Sequence, residues 1–149
     1  MENKSYKIIV ALFAIVMFTS ACKKNAPDQW LQDNITIIGK VPVIASFTVK
    51  APQTVSVTAG SGLQFDLRYW SDEPIDKINL RSTVGTGSQA LISTTAYQKA
   101  YSTVSRTDSL LVPFTVPAGV AVGTKIVVEV EVVNQNTLTK KLPITLTVK

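Results

Sequence analysis

Few side chains in this 149-residue sequence have the type and spacing for chemistry. Cys22 is the only cysteine, and no histidine occurs. A Ser-His-Asp triad, a Cys-His pair and a histidine metal site are therefore excluded. Glu129 and Glu131 stand two apart in a strand-like run. Two residues of strand span roughly 6.6 Å, which superficially fits a glycosidase carboxylate pair. Adjacent acids on one strand do not flank a substrate in a cleft, however, and the bland reading is the solvated face of an amphipathic strand. Asp72, Glu73 and Asp76 share a turn with Pro74, with Asp66 nearby in sequence. Loop oxygens of this kind bind calcium in some proteins, but the spacing matches no EF-hand loop. The expectation is no catalytic residue, no metal and no cofactor. The better functional candidates are aromatic: Trp70, Tyr97 and Tyr101 as a possible ligand-binding set, with Trp30 further upstream. An exposed flat ring stacks on a sugar face or anchors a protein interface. The blander expectation is that Trp70 plugs the rim of the domain and that one or both tyrosines pack inward.

Cys22 is best understood from what precedes it. Lys4 and Lys7 make a basic start, and Ile8 to Phe18 is an unbroken apolar run of eleven residues. A spanning helix needs about 20 such residues, whereas a secretory h-region has about 7–15. Thr19, Ser20 and Ala21 are small, as a signal peptidase requires. Thr19-Ser20-Ala21-Cys22 resembles the lipobox of Gram-negative lipoproteins. That resemblance implies cleavage before Cys22, a diacylglycerol on its thiol and an acyl chain on its new amino group. One chain binds a membrane marginally, and two or more anchor it stably. The same resemblance implies outer-membrane delivery, since Lys23 rather than Asp follows the cysteine. Lys23-Lys24-Asn25, with Asp28 alone, leaves open whether the domain faces the periplasm or the cell surface.

From Cys22 onward 128 residues remain, enough for one domain and a tether. Such a domain builds its own core without disulfides. The signal leaves thirteen basic and nine acidic side chains in the mature part. No basic run with interleaved aromatics appears, so nucleic acid is not an expected partner. Lys23 and Lys24 would sit beside anionic headgroups.

Residues 22–39 read as lipidated cysteine and tether: polar, with Pro27, but interrupted by Trp30 and Leu31. Ile35 to Ile38 reads as a short strand ended by Gly39. Beyond Pro42 the pattern is alternating and β-branched. Val43 to Lys50 reads as a strand, and Thr54 to Thr58 as its resumption, with Val55 and Val57 on one face. Leu63, Phe65, Leu67 and Tyr69 alternate with Gln64, Asp66, Arg68 and Trp70, the pattern of a half-buried antiparallel strand. Ile78, Leu80, Ser82 and Val84 share a face. Gly85-Thr86-Gly87 reads as a hairpin, with Leu91 to Thr95 returning. Residues 96–106 read as irregular or edge. Leu110, Val112, Phe114 and Val116 form another apolar face, and Pro113 marks an edge or bulge. Ile126 to Val133 and Leu142 to Val148 complete the set, joined at Asn134-Gln135-Asn136. No helical period is sustained after Cys22. Seven or more strands at these intervals predict an all-β, immunoglobulin-like antiparallel β-sandwich over 40–149, after a signal peptide at 1–21. A small closed barrel is the alternative.

Val43-Ile44-Ala45-Ser46-Phe47, Leu63 to Ser71, Pro74 to Leu80, and Val116-Pro117-Ala118-Gly119 with Gly123 resemble small Bacteroidetes outer-membrane lipoproteins carrying one immunoglobulin-like domain. The resemblance lies in strands and turns and includes no catalytic motif. It implies a non-enzymatic envelope lipoprotein whose domain is a binding or assembly module. The implied partners are the membrane, through lipid on Cys22, and envelope proteins or glycans. The alternative it implies is a carbohydrate-binding accessory of an outer-membrane glycan-uptake system.

Overall fold

Alternation between apolar and polar residues becomes two facing sheets. The structure is a computed structural model and describes residues 39–149. The signal segment, Cys22, Trp30 and the short strand expected at 35–38 lie outside the described residues. Nine strands follow in order: β1 (Val43–Val49), β2 (Ser56–Val57), β3 (Gly62–Trp70), β4 (Ile75–Val84), β5 (Ala90–Ala96), β6 (Tyr101–Ser102), β7 (Thr107–Thr115), β8 (Lys125–Asn134) and β9 (Thr139–Val148).

One sheet runs β1-β3-β7-β6 and the other β2-β9-β8-β4-β5. With the strands lettered A, A′, B, C, C′, D, E, F, G along the chain, the sheets are A-B-E-D and A′-G-F-C-C′. This is the immunoglobulin-like sandwich. All pairings are antiparallel except that of β2 with β9, which is parallel. Chain crossing explains that exception. After β1 the backbone passes Pro52 and joins the other sheet alongside the last strand. This short parallel strand also alters one expectation. Val57 is buried, but Val55 is exposed and meets β9 only through its carbonyl, which accepts from Thr147 N–H at 2.8 Å.

The core lies where the inner faces meet. Leu63, Phe65, Leu67 and Tyr69 of β3 face Ile126, Val128, Val130 and Val132 of β8, all buried. Phe65 packs between Phe47 and Phe114, with ring centroids 4.7 Å and 5.9 Å away. Each fully buried side chain of this size contributes about 1.5–3 kcal/mol of apolar transfer. Pro113 sits opposite Gln64 in the β3–β7 ladder. Its missing N–H falls on the side away from β3, which β6 leaves open because β6 pairs only with Thr107 and Asp108. The edge reading of Pro113 therefore holds. Single-residue bulges fall at Ala45, Asp76 and Ile92, where the register shifts. Gly119 (φ +75°) supplies the left-handed residue of the Pro117-Ala118-Gly119 turn. Thr137 (φ 68°) takes the same conformation in the β8–β9 hairpin, without glycine's freedom.

Candidate functional site

The outer face of the five-stranded sheet gathers the polar side chains that the inner face rejects. Because β4, β8 and β9 all place every second residue inward, their remaining residues line up across the sheet. Thr94, Asn79, Glu131 and Lys141 occupy one register row across β5, β4, β8 and β9. The row is bonded along its length. Thr94 Oγ1 donates to Asn79 Oδ1 at 2.9 Å, and Asn79 Nδ2 donates to Glu131 Oε2 at 2.9 Å. Lys141 Nζ lies 3.5 Å from Glu131 Oε1 and 3.7 Å from Glu129 Oε1. Arg81 donates to Glu131 at 3.4 Å, and Gln89 Nε2 donates to Glu129 at 3.3 Å.

This overturns the expectation that Glu129 and Glu131 form a freely solvated face. Glu131 is only 7% exposed and Asn79 8%. The cause is lateral: long neighbours on two flanking strands cover the carboxylate, which the pattern of a single strand does not show. Burial pushes the Glu131 carboxyl up. The Asn79 hydrogen bond, the Lys141 charge and the hydrogen bond and charge of Arg81 outweigh that, and its pKa falls below the ordinary value. A carboxylate held ionised by three partners on a sheet face is poorly placed to act as a general acid.

The acidic turn also disperses into local pairs. Asp72 accepts from Lys40 Nζ at 2.8 Å, Asp76 lies 3.3 Å from Lys77 Nζ, and Asp66 pairs with Arg68 at 2.9 Å. Among the described residues, no three acidic, cysteine or histidine side chains come together as a metal site.

The aromatic candidates separate into three settings. Trp70 is 38% exposed and pairs across the strands with Val43 on the outer face of the four-stranded sheet. Val41, just upstream, is exposed as well. Tyr97 is part-buried. Its ring meets Tyr69 edge-on with centroids 6.4 Å apart, and its hydroxyl donates to Asp108 Oδ2 at 3.0 Å. Tyr101 is half exposed, opposite Asp108 in the β6–β7 pair. Asp108 in turn opposes the buried Tyr69. Residues directly opposite share a side of the sheet, so Tyr101 lies on the inner-face side and Trp70 on the outer. The three rings do not form one platform. Trp70 alone presents a ring on an open sheet face.

Sequence reasoning missed Asp108. Its Oδ1 accepts from Ala100 N–H at 2.8 Å while Oδ2 holds Tyr97. It thereby ties the β5–β6 crossing to β7 of the other sheet. The only sequence signal is a lone acid at the start of an apolar strand. Asn134, a turn residue by its sequence setting, is buried at the end of β8. Its Nδ2 donates to Lys40 C=O at 3.0 Å and Ser71 Oγ at 2.9 Å, pinning the start of the described chain.

A shallow cavity of about 350 Å³ opens beside β2, lined by Pro52, Gln53, Val57, Leu63 and Lys149 among others. Gln53 spends its amide on β3: Nε2 donates to Gly62 C=O at 3.2 Å, and Oε1 accepts from Gln64 N–H at 3.0 Å.

No family model and no curated protein matches the chain. Among solved structures it is similar to a superoxide reductase (neelaredoxin) from Ignicoccus hospitalis. That match has 11% identity and a TM-score of 0.50, over 74% of this chain and 82% of that one. At this identity the likeness shows a shared fold, not a shared activity. The archaeal flagellum of Methanospirillum hungatei strain JF1 also aligns, with 13% identity over 96% of this chain and 88% of that one. Its TM-score of 0.41 carries no argument.

Proposed function

We propose that this protein is a non-enzymatic lipoprotein of the outer membrane, lipidated at Cys22, whose immunoglobulin-like domain is a binding or assembly module. The observation that carries the reading is how the polar groups are used. The carboxylate pair Glu129 and Glu131 is occupied by Asn79, Arg81, Lys141 and Gln89 on a sheet face. Apolar and aromatic groups, in contrast, stand exposed at Trp70, Val43 and Val41. Residues 1–21 are the cleaved signal and 22–39 the tether, which leaves the sandwich to make contacts at the membrane surface.

Hydrolysis tests the non-enzymatic part. The purified chain should cleave no polysaccharide or glycoside. Activity that disappears in Glu131→Gln or Glu129→Gln would contradict this reading.

The exposure of Trp70 favours a second reading, a carbohydrate-binding accessory of a glycan-uptake system. A ring on an open face stacks on a sugar at a cost in lost binding of about 1–3 kcal/mol when removed. Glycan-array binding that falls tenfold or more in Trp70→Ala supports this reading. No binding to any glycan rejects it.

A further inference from the structure

We propose that the cavity beside β2 binds one acidic sugar unit, a uronate, at the end of the sandwich opposite Gly39. The strand registers define that end. β3 begins there at Gly62, opposite Thr115 of β7, and β4 ends there at Val84, opposite Ile126 of β8. Ser56 of β2, Thr147 of β9 and Lys125 of β8 form one row across it. Lys40, Ser71 and Asn134 meet at the other end, where the described chain begins.

The walls of the cavity are held by bonds made within the fold. Gln53 uses both ends of its amide on β3, donating to Gly62 C=O at 3.2 Å and accepting from Gln64 N–H at 3.0 Å. Ser61 Oγ donates to Thr58 C=O at 2.6 Å, and Ser61 N–H donates to the same oxygen at 3.1 Å. Walls fixed in this way lose little freedom when a ligand arrives. Val57 and Leu63, both buried, and Pro52 supply an apolar side. Ser56 and Thr58 add hydroxyls that none of these bonds uses, and Lys149 adds a cation. The volume of about 350 Å³ falls at the low end of the range for ligand sites, about 300–1,000 Å³.

Charge selects the ligand. Segments 50–62, 82–90, 112–128 and 142–149 make up this end, and they contain Lys50, Lys125 and Lys149 and no acidic side chain. The nearest acid along β3, Asp66, is paired with Arg68, and Glu129 of β8 is held by Lys141 and Gln89. The end therefore attracts anions, and the ammonium of an amino acid would meet no carboxylate side chain. A fatty acid needs a long apolar channel, which a shallow cavity lacks. A bare phosphate leaves the apolar side unused. A pyranose uronate matches all three parts. Its C–H face would cover Val57, Leu63 and Pro52, its hydroxyls would exchange hydrogen bonds with Ser56 and Thr58, and its carboxylate would pair with Lys149. Trp70 closes β3 at the far end from Gly62, so the inference depends neither on that ring nor on the lipid at Cys22.

A ligand of this size on a partly open site should bind with a dissociation constant on the order of 1 mM. Titration of the full chain with sodium glucuronate and with glucose, in a detergent without a sugar head group and read by saturation-transfer NMR, tests it. Glucuronate should bind roughly fivefold tighter than glucose, the most that one exposed ion pair supplies. Lys149→Gln should erase that preference and leave the unfolding midpoint in place. Thr58→Val should weaken both sugars, and Trp70→Ala should change neither. Absence of glucuronate binding, equal affinity for glucose, or a preference that survives Lys149→Gln overturns the proposal. Full displacement of glucuronate by equimolar inorganic phosphate overturns it too, by showing an adventitious anion site only. Binding that is lost in Trp70→Ala but kept in Lys149→Gln overturns this site and supports the carbohydrate reading at Trp70 instead.

Discussion

Replacing Asp108 with alanine should destabilise this domain more than any surface substitution. Asp108 is the second residue of β7 and is buried, and its two carboxylate oxygens hold two groups of the β5–β6 crossing: Tyr97 hydroxyl at 3.0 Å and Ala100 N–H at 2.8 Å. β5 belongs to one sheet and β7 to the other, so the carboxylate clasps the sandwich across its open side. Hydrogen bonds to a charged group are worth about 1.5–3 kcal/mol each. Part of that returns because a charge is no longer buried, which leaves a net loss of about 2–4 kcal/mol. At about 4 °C per kcal/mol for a domain of this size, Tm should drop by roughly 8–16 °C. Asp108→Asn keeps an acceptor for Ala100 and offers an amide N–H to the Tyr97 oxygen, so it should cost about 1 kcal/mol. The assay is urea and thermal unfolding of wild type, Asp108→Ala, Tyr97→Phe and the double variant. A coupling energy of about 1–2 kcal/mol between the two sites is expected. Trypsin adds a local readout, since Lys99 lies within the clasped segment and Arg106 shortly after it, and both should be cut faster in Asp108→Ala. Strictly additive single variants, or a Tm loss in Asp108→Ala below about 2 °C, would refute the clasp.

Three further outcomes follow from the same geometry. Glu131 titrates below its usual 4.5 in the fold. Its contribution is therefore full above that value and lost as pH falls through the lower folded one, so the urea midpoint should decline below pH 4.5, and less steeply in Glu131→Gln. Burial, with Asp108 and Tyr97 adding to it, pushes the Tyr69 hydroxyl from 10.0 up to about 12. A raised pKa reverses the sense: this contribution is present below pH 10 and lost between there and 12, so alkaline unfolding should start in that window, and a flat stability profile from pH 9 to 12 would contradict it. Thr137 holds φ at 68° in the last hairpin, where a branched side chain is strained by about 1–2 kcal/mol. Thr137→Gly should raise the unfolding free energy by about 1 kcal/mol after its entropy cost, and with it the unfolding midpoint; a lower midpoint would show that the turn needs the side chain.

The inner faces of this sandwich were legible because period-two alternation reports burial on one side of a strand. Leu63 to Tyr69 and Ile126 to Val132 are buried as their spacing predicts. Pro113 was legible for a different reason: a residue without N–H tolerates only the unpaired side of a ladder. The misreadings share one cause, neighbours supplied from elsewhere in the chain. Val55 looked equivalent to Val57, but β2 is two residues long and pairs with a strand ninety residues later. Glu131 looked solvated until Asn79, 52 positions away, and Lys141 from the adjacent strand were laid beside it. Tyr97 and Tyr101 are four apart and invited grouping, yet one is fastened to Asp108 and the other sits half exposed at an edge. Of the aromatic set, Trp70 alone keeps the open placement on its sheet face that parity implied.

Lipid attachment at Cys22 is the premise on which the proposed role as an envelope module stands. Growing cells that express the full chain in labelled palmitate, then separating membranes from soluble fractions, tests it directly. The account predicts label on the wild-type protein in the outer-membrane fraction, and an unlabelled Cys22→Ala protein released from it. A wild-type protein without label, or a Cys22→Ala protein still held in the membrane, would contradict it.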